Sequence, residues 1–231
     1  MQPKREDIMR RLIMRMNSGF TASVLVLFLL TGCGAAKKIK SDLAVQESHQ
    51  AKSLKVERLQ DGREGFIIME NPQMDESSRR DFDRAVRMME DEEYGQAAGL
   101  LEKIIEKSPG VTAPYINLAI ACRHLGETER AEEYLKTAMN LIPEHPGACN
   151  EYGQLLRQTG KFSESRSIYE KGIAGYPYYY PLHKNLGILC DLYLNDPSCA
   201  LEHYEIYSRA MPEDKQVKLW IADLRLRLGQ D

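Results

Sequence analysis

The sequence predicts an all-α protein built as an array of helix-turn-helix repeats. Two spacings carry that expectation: Pro109, Pro143 and Pro177 stand 34 residues apart, and Gly126 and Gly160 keep the same interval. A fixed period of this length marks stacked supersecondary units, none of which buries its apolar face alone. A third observation follows the last repeat, where Val217, Trp220, Ile221, Leu224 and Leu228 fall at helical spacing and would cover the open end of the stack.

Composition narrows the function classes before any motif is considered. The 231 residues are 43% hydrophobic and 28% charged with a formal net charge of −3, which suits a packed, soluble domain. Binding to nucleic acid would call for clustered Lys and Arg and a high pI, whereas the charges here are interspersed and the pI is near 6.0. That partner class is set aside.

In chain order, residues 1–32 read as a signal peptide. Lys4, Arg5, Arg10, Arg11 and Arg15 form a basic leader, an apolar run covers residues 20–30, and small residues follow in Leu30-Thr31-Gly32-Cys33. The apolar run is too short to span a bilayer, which needs about 20 residues. Leu30-Thr31-Gly32-Cys33 resembles the bacterial lipobox, which implies cleavage before Cys33, acylation of its thiol, and acylation of the new amino group. Several acyl chains anchor firmly, because each buried methylene contributes about 0.8 kcal/mol. By the same resemblance, Gly34 after the cysteine favours the periplasmic face of a Gram-negative outer membrane.

Residues 33–77 read as a polar tether, with turn residues at Asp61-Gly62 and one β-like apolar run, Gly65-Phe66-Ile67-Ile68-Met69. The repeats then occupy residues 78–111, 112–145, 146–179 and 180–214, the last with one extra residue. Residues 215–231 form the capping helix. In the fourth repeat the turn glycine is replaced by Asn195-Asp196-Pro197-Ser198, where Asp196 suits an N-cap and Pro197 a first helical turn. The first repeat departs most, with Arg84 in place of a leucine and Glu92 in place of the turn glycine.

Aligned in these frames, the eighth slot holds Ala85, Ala119, Gly153 and Gly187, and the twentieth holds Ala97, Ala131, Ser165 and Ala200. The twenty-fourth holds Leu101, Leu135, Tyr169 and Tyr204, and the closing proline is Pro109, Pro143, Pro177 or Pro212. Small residues let antiparallel helices approach, and bulky ones fill the groove between them. The pattern resembles the tetratricopeptide repeat. The resemblance implies a right-handed superhelix of about four such repeats plus the C-terminal capping helix.

It also implies a concave, partner-binding groove lined by the first helix of each repeat. The matching slots hold Phe82, Val86, Met89, Ile116, Asn117, Ile120, Arg123, Asn150, Gln154, Arg157, Lys184 and Ile188. This set grades from apolar to polar and basic, as would suit an extended peptide or partner helix bearing apolar and acidic groups. The chaperone-type carboxylate clamp is not expected, because its positions fall on Phe82, Val86, Gly147 and Glu151 and only Asn117 matches. Four tyrosines in Tyr176-Pro177-Tyr178-Tyr179-Tyr180-Pro181 serve either a contact surface or packing between repeats.

No motif calls for catalysis. His49, His124, His145, His183 and His203 form no HExxH and no metal-ligand spacing with cysteine, and there is no phosphate loop or nucleophile elbow. No enzyme, metal or cofactor is expected. Of the cysteines left after Cys33, the pair Cys190 and Cys199 flanks the turn of one helical hairpin and is the candidate disulfide; Cys122 and Cys149 complete the set. The function expected is a membrane-anchored, non-enzymatic adaptor in envelope assembly, pilotin-like in pilus or secretion-system biogenesis. Alternatives are an accessory subunit of an energy-coupling complex of the TonB/ExbB kind, or a regulator of cell-wall enzymes or a hydrolase.

Overall fold

The computed structural model describes residues 54–58, 65–70 and 74–230, so the leader, Cys33 and most of the tether lie outside the described residues. The chain divides into two compact units, one ending at Met74 and the other running from Asp75 to Asp231. In the first, β1 (Lys55–Arg58) and β2 (Phe66–Met69) pair antiparallel, with Val56 opposite Ile68. The β-like run therefore has a strand partner within the segment that reads as tether. Lys55–Arg58 carries three charged residues and no apolar alternation, which hides it as a strand.

The second unit is helical throughout. Its elements are α1 (Glu76–Glu90), α2 (Tyr94–Lys107), α3 (Thr112–His124), α4 (Thr128–Leu141), α5 (Pro146–Gln158), α6 (Phe162–Gly175), α7 (Pro181–Leu192), α8 (Pro197–Ala210) and α9 (Lys215–Leu228). They form four antiparallel pairs, each packed on the next, with α9 packed on α8. The fold is all-α, as expected.

Each 34-residue landmark has a local cause. Pro109, Pro143, Pro177 and Pro212 each follow the last residue of a second helix by two positions, where a missing N–H ends the helix without leaving a donor unpaired. Gly126 and Gly160 take φ of 79° and 77° in the turn inside their repeats. Glu92 and Asn195 adopt the same left-handed conformation in the first and fourth repeats, with φ of 63° and 50°. The turn geometry thus persists where the glycine does not. Asp196 accepts from the Cys199 N–H at 3.0 Å and Pro197 opens α8. Asp75 caps α1 by accepting from the Ser78 N–H at 2.9 Å, so the first helix begins two residues ahead of the 78–111 frame.

The core follows the slots. Ala97, Ala131, Ser165 and Ala200 are fully buried, and Leu101, Leu135, Tyr169 and Tyr204 fill the space between helices. Gly153 and Gly187 lie directly under the Tyr169 and Tyr204 rings. Val217, Trp220, Ile221 and Leu224 form the buried face of α9, and the Trp220 ring stands 5.2 Å from that of Tyr204. In the tyrosine-rich loop, Tyr179 is buried and Tyr178 is largely exposed.

Candidate functional site

The first helices of successive repeats touch one another, α1 with α3, α3 with α5, and α5 with α7. The second helices of neighbouring repeats meet through surface side chains, as where Arg130 on α4 donates to Glu102 on α2 at 2.6 Å. The first helices line up as one continuous wall of the array, and most of its side chains come from positions repeating at the 34-residue period.

Polar side chains tie the wall together across repeats. Arg123 on α3 donates from Nη2 to Glu151 Oε2 on α5 at 3.3 Å. Glu151 Oε1 accepts from Asn150 Nδ2 at 3.0 Å and from Gln154 Nε2 at 3.3 Å. Asn185 Nδ2 on α7 reaches Asn150 Oδ1 at 2.8 Å. Lys184 Nζ lies 2.6 Å from Asp214 Oδ2 and 5.0 Å from the Tyr207 ring centre. Asp214 also accepts from Tyr207 OH and from the Gln216 and Val217 N–H groups, so one carboxylate joins the wall to the start of α9. Burial alone would raise its pKa, but the hydrogen bond and charge of Lys184 outweigh it and hold the carboxyl below 3.8.

These partners revise the expected lining. Phe82, Val86, Met89, Ile116, Asn117, Asn150 and Gln154 are buried, so they support the wall from within and offer no side chain to a ligand. Ile120, Arg123, Arg157, Lys184 and Ile188 keep part of their surface exposed. Of the three cations, Arg123 and Lys184 already hold carboxylates. Arg157 holds none among the described residues: its guanidinium lies over the Tyr193 ring at 5.7 Å, and its buried Nε has no hydrogen-bond partner. The open part of the wall is therefore Ile120, Arg157, Ile188 and the exposed Tyr193, with Arg123 at its edge.

Two matches to models described as tetratricopeptide repeat cover residues 88–142 and 146–174. This is a tetratricopeptide-repeat fold. No curated protein shows significant sequence similarity to the chain. Solved tetratricopeptide-like structures superpose well: pilF of Pseudomonas aeruginosa gives a TM-score of 0.62 at 22% identity, covering 67% of this chain and 70% of that one. MamA from Desulfovibrio magneticus gives 0.56 at 17% identity, covering 68% and 89%. TTC0263, a tetratricopeptide protein of Thermus thermophilus, gives 0.56 at 20% identity, covering 66% and 84%. At these identities the likeness is one of fold.

Glu151 and Tyr193 join the expected lining of the tetratricopeptide wall, and Asp214 and Tyr207 border it at the end of the fourth repeat. Glu151 had a signal, since it stands at the slot that Asn117 and Asn185 occupy in the neighbouring repeats. A carboxylate there is what draws Arg123, Asn150 and Gln154 together. Asp214 closes the fourth repeat in the turn before α9, outside any first-helix slot. The structure joins Cys190 and Cys199 in a disulfide with Cα atoms 5.9 Å apart. Cys122 and Cys149 are buried free thiols whose pKa values burial pushes up to about 11 and about 12, so neither supplies a thiolate.

Proposed function

We propose that this protein is an interaction adaptor that receives a segment of a partner protein along the wall of α3, α5 and α7. Tetratricopeptide repeats mediate protein–protein interaction, and this array carries the features of such a surface. The observation that carries the reading is Arg157: a wall cation that holds no ion pair among the described residues, lying over the Tyr193 ring on the helix between those that carry the partly exposed Ile120 and Ile188. A partner carboxylate there would gain a charge-assisted hydrogen bond, about 1.5–3 kcal/mol, while its apolar neighbours cover the isoleucines.

The lipobox-like Leu30-Thr31-Gly32-Cys33 supports a lipid anchor at Cys33 on the periplasmic face of the outer membrane. Within that setting the adaptor serves envelope assembly, in a pilotin-like role for a pilus or secretion component. The fold shared with pilF is compatible with this role. The test is affinity capture of the full-length protein from detergent-solubilised envelopes, with Arg157→Glu and Cys33→Ser variants alongside. A defined envelope protein should be recovered with wild type, lost with Arg157→Glu, and Cys33→Ser should move the protein to the soluble fraction. Equal recovery by wild type and Arg157→Glu would end the wall-binding reading, and continued membrane attachment of Cys33→Ser would end the lipid anchor.

A further inference from the structure

His183 and His203 are separated by 20 residues, so no sequence spacing brings them together, yet the pairing of α7 with α8 places their Nδ1 atoms 3.0 Å apart. A second contact fixes the chemistry of one ring. His183 Nε2 lies 3.2 Å from the Pro177 carbonyl oxygen, and a carbonyl only accepts, so Nε2 carries the proton. The neutral ring then presents a bare lone pair on Nδ1, directed at His203. A histidine whose far nitrogen donates to a backbone carbonyl is oriented as metal-binding histidines are.

We propose that His183 and His203 bind a first-row divalent transition-metal ion of the Zn2+ and Cu2+ class between their Nδ1 atoms. Imidazole nitrogen suits these ions. Two bonds of the usual length at a tetrahedral angle hold the nitrogens about 3.4 Å apart, so the pair need open by only a few tenths of an ångström. The ring centroids are 5.2 Å apart at 47°, so the rings face each other nitrogen to nitrogen and a modest rotation of each turns both lone pairs onto one ion. The His183 ring is buried and the His203 ring partly exposed, giving an anchored ligand and a side open to the entering ion.

The surrounding charge favours a cation. Glu202 acts on both rings, and Glu170 and Asp196 act on His203, against Arg166 alone. Arg166 is itself held by Glu170 at 2.8 Å and Asp196 at 3.4 Å. Burial keeps both imidazoles in the neutral form that a metal requires. Water completes the coordination. The site stands apart from the adaptor reading and neither depends on the other.

The test is isothermal titration of the full chain, disulfide intact, with ZnCl2. The expected result is saturable binding of one equivalent, weakened roughly tenfold or more in His203→Ala and in His183→Ala, and retained in His124→Ala. Histidine-ring NMR of the wild type gives a readout that needs no variant to fold: Zn2+ should shift the His183 and His203 resonances together. Absence of saturable binding by the wild type, or binding that survives His203→Ala and leaves both resonances in place, would overturn the proposal and leave a direct N–H···N hydrogen bond.

Discussion

The ring of Tyr169 lies against the backbone of Gly153 so closely that a Cβ on the glycine would fall 2.3 Å from the tyrosine Cε1 and 2.5 Å from Cζ. Gly187 and Tyr204 repeat the relationship one repeat later, at 2.6 Å. Tyr169 is fully buried, so its ring has no space to retreat. Gly153→Ala should therefore destabilise the array by about 3 kcal/mol, at the high end for overpacking. Urea denaturation measures this, and adding Tyr169→Leu should recover part of the loss. Additive losses would show that the contact is not the cause.

Such contacts were legible because they are periodic. A small residue and a large one sixteen positions later, or seventeen in the fourth repeat with its extra residue, report the same helix crossing each time. The wall was only half legible. Slots indicate which helix face a residue occupies but not its depth, so Ile116 and Asn150 read as lining although they are buried. Nor does a slot reveal a partner from another repeat. Arg123 and Lys184 look like free cations until Glu151 and Asp214 are brought beside them, 28 and 30 residues further on. Lys55–Arg58 was illegible for another reason: a charged edge strand shows no apolar alternation.

The first repeat carries a local conflict. Glu92 holds φ of 63°, the conformation that Gly126 and Gly160 adopt in the next two repeats. For a side chain with a Cβ that region costs about 1–2 kcal/mol, partly offset by the greater freedom glycine has when unfolded. Glu92→Gly should raise stability by about 0.5–1 kcal/mol, and Gly126→Ala should lower it by a similar amount. Denaturation midpoints compare the two directly.

His145 links stability to pH. Its ring is buried and Nδ1 accepts from the Ala148 N–H at 3.2 Å, capping α5, a role only a ring unprotonated at Nδ1 can fill. Burial pushes its pKa from 6.5 down to about 3. Between those values the unfolded chain binds a proton that the folded chain does not. The contribution is thus complete above pH 6.5 and is lost as pH falls toward 3, by up to about 1.4 kcal/mol per pH unit. His145→Asn keeps a capping oxygen and removes this titration, so its stability should fall less between about pH 6.5 and pH 4 than that of the wild type.

The Cys190–Cys199 disulfide closes the turn between α7 and α8 with a sequence separation of 9. A loop of that size restricts the unfolded chain by about 2–3 kcal/mol. Reduction should lower the denaturation midpoint accordingly, and Cys190→Ala/Cys199→Ala should match the reduced wild type. An unchanged midpoint would show that the fourth repeat is held by packing alone.

The adaptor reading places the partner on the wall of first helices, at Arg157. A photo-crosslinking amino acid placed at position 157 in intact cells tests it most directly, with position 130 on the outer helix α4 as the reference. Position 157 should yield a discrete crosslinked envelope protein and position 130 none. No adduct at 157, or the same adduct from 130, would contradict it.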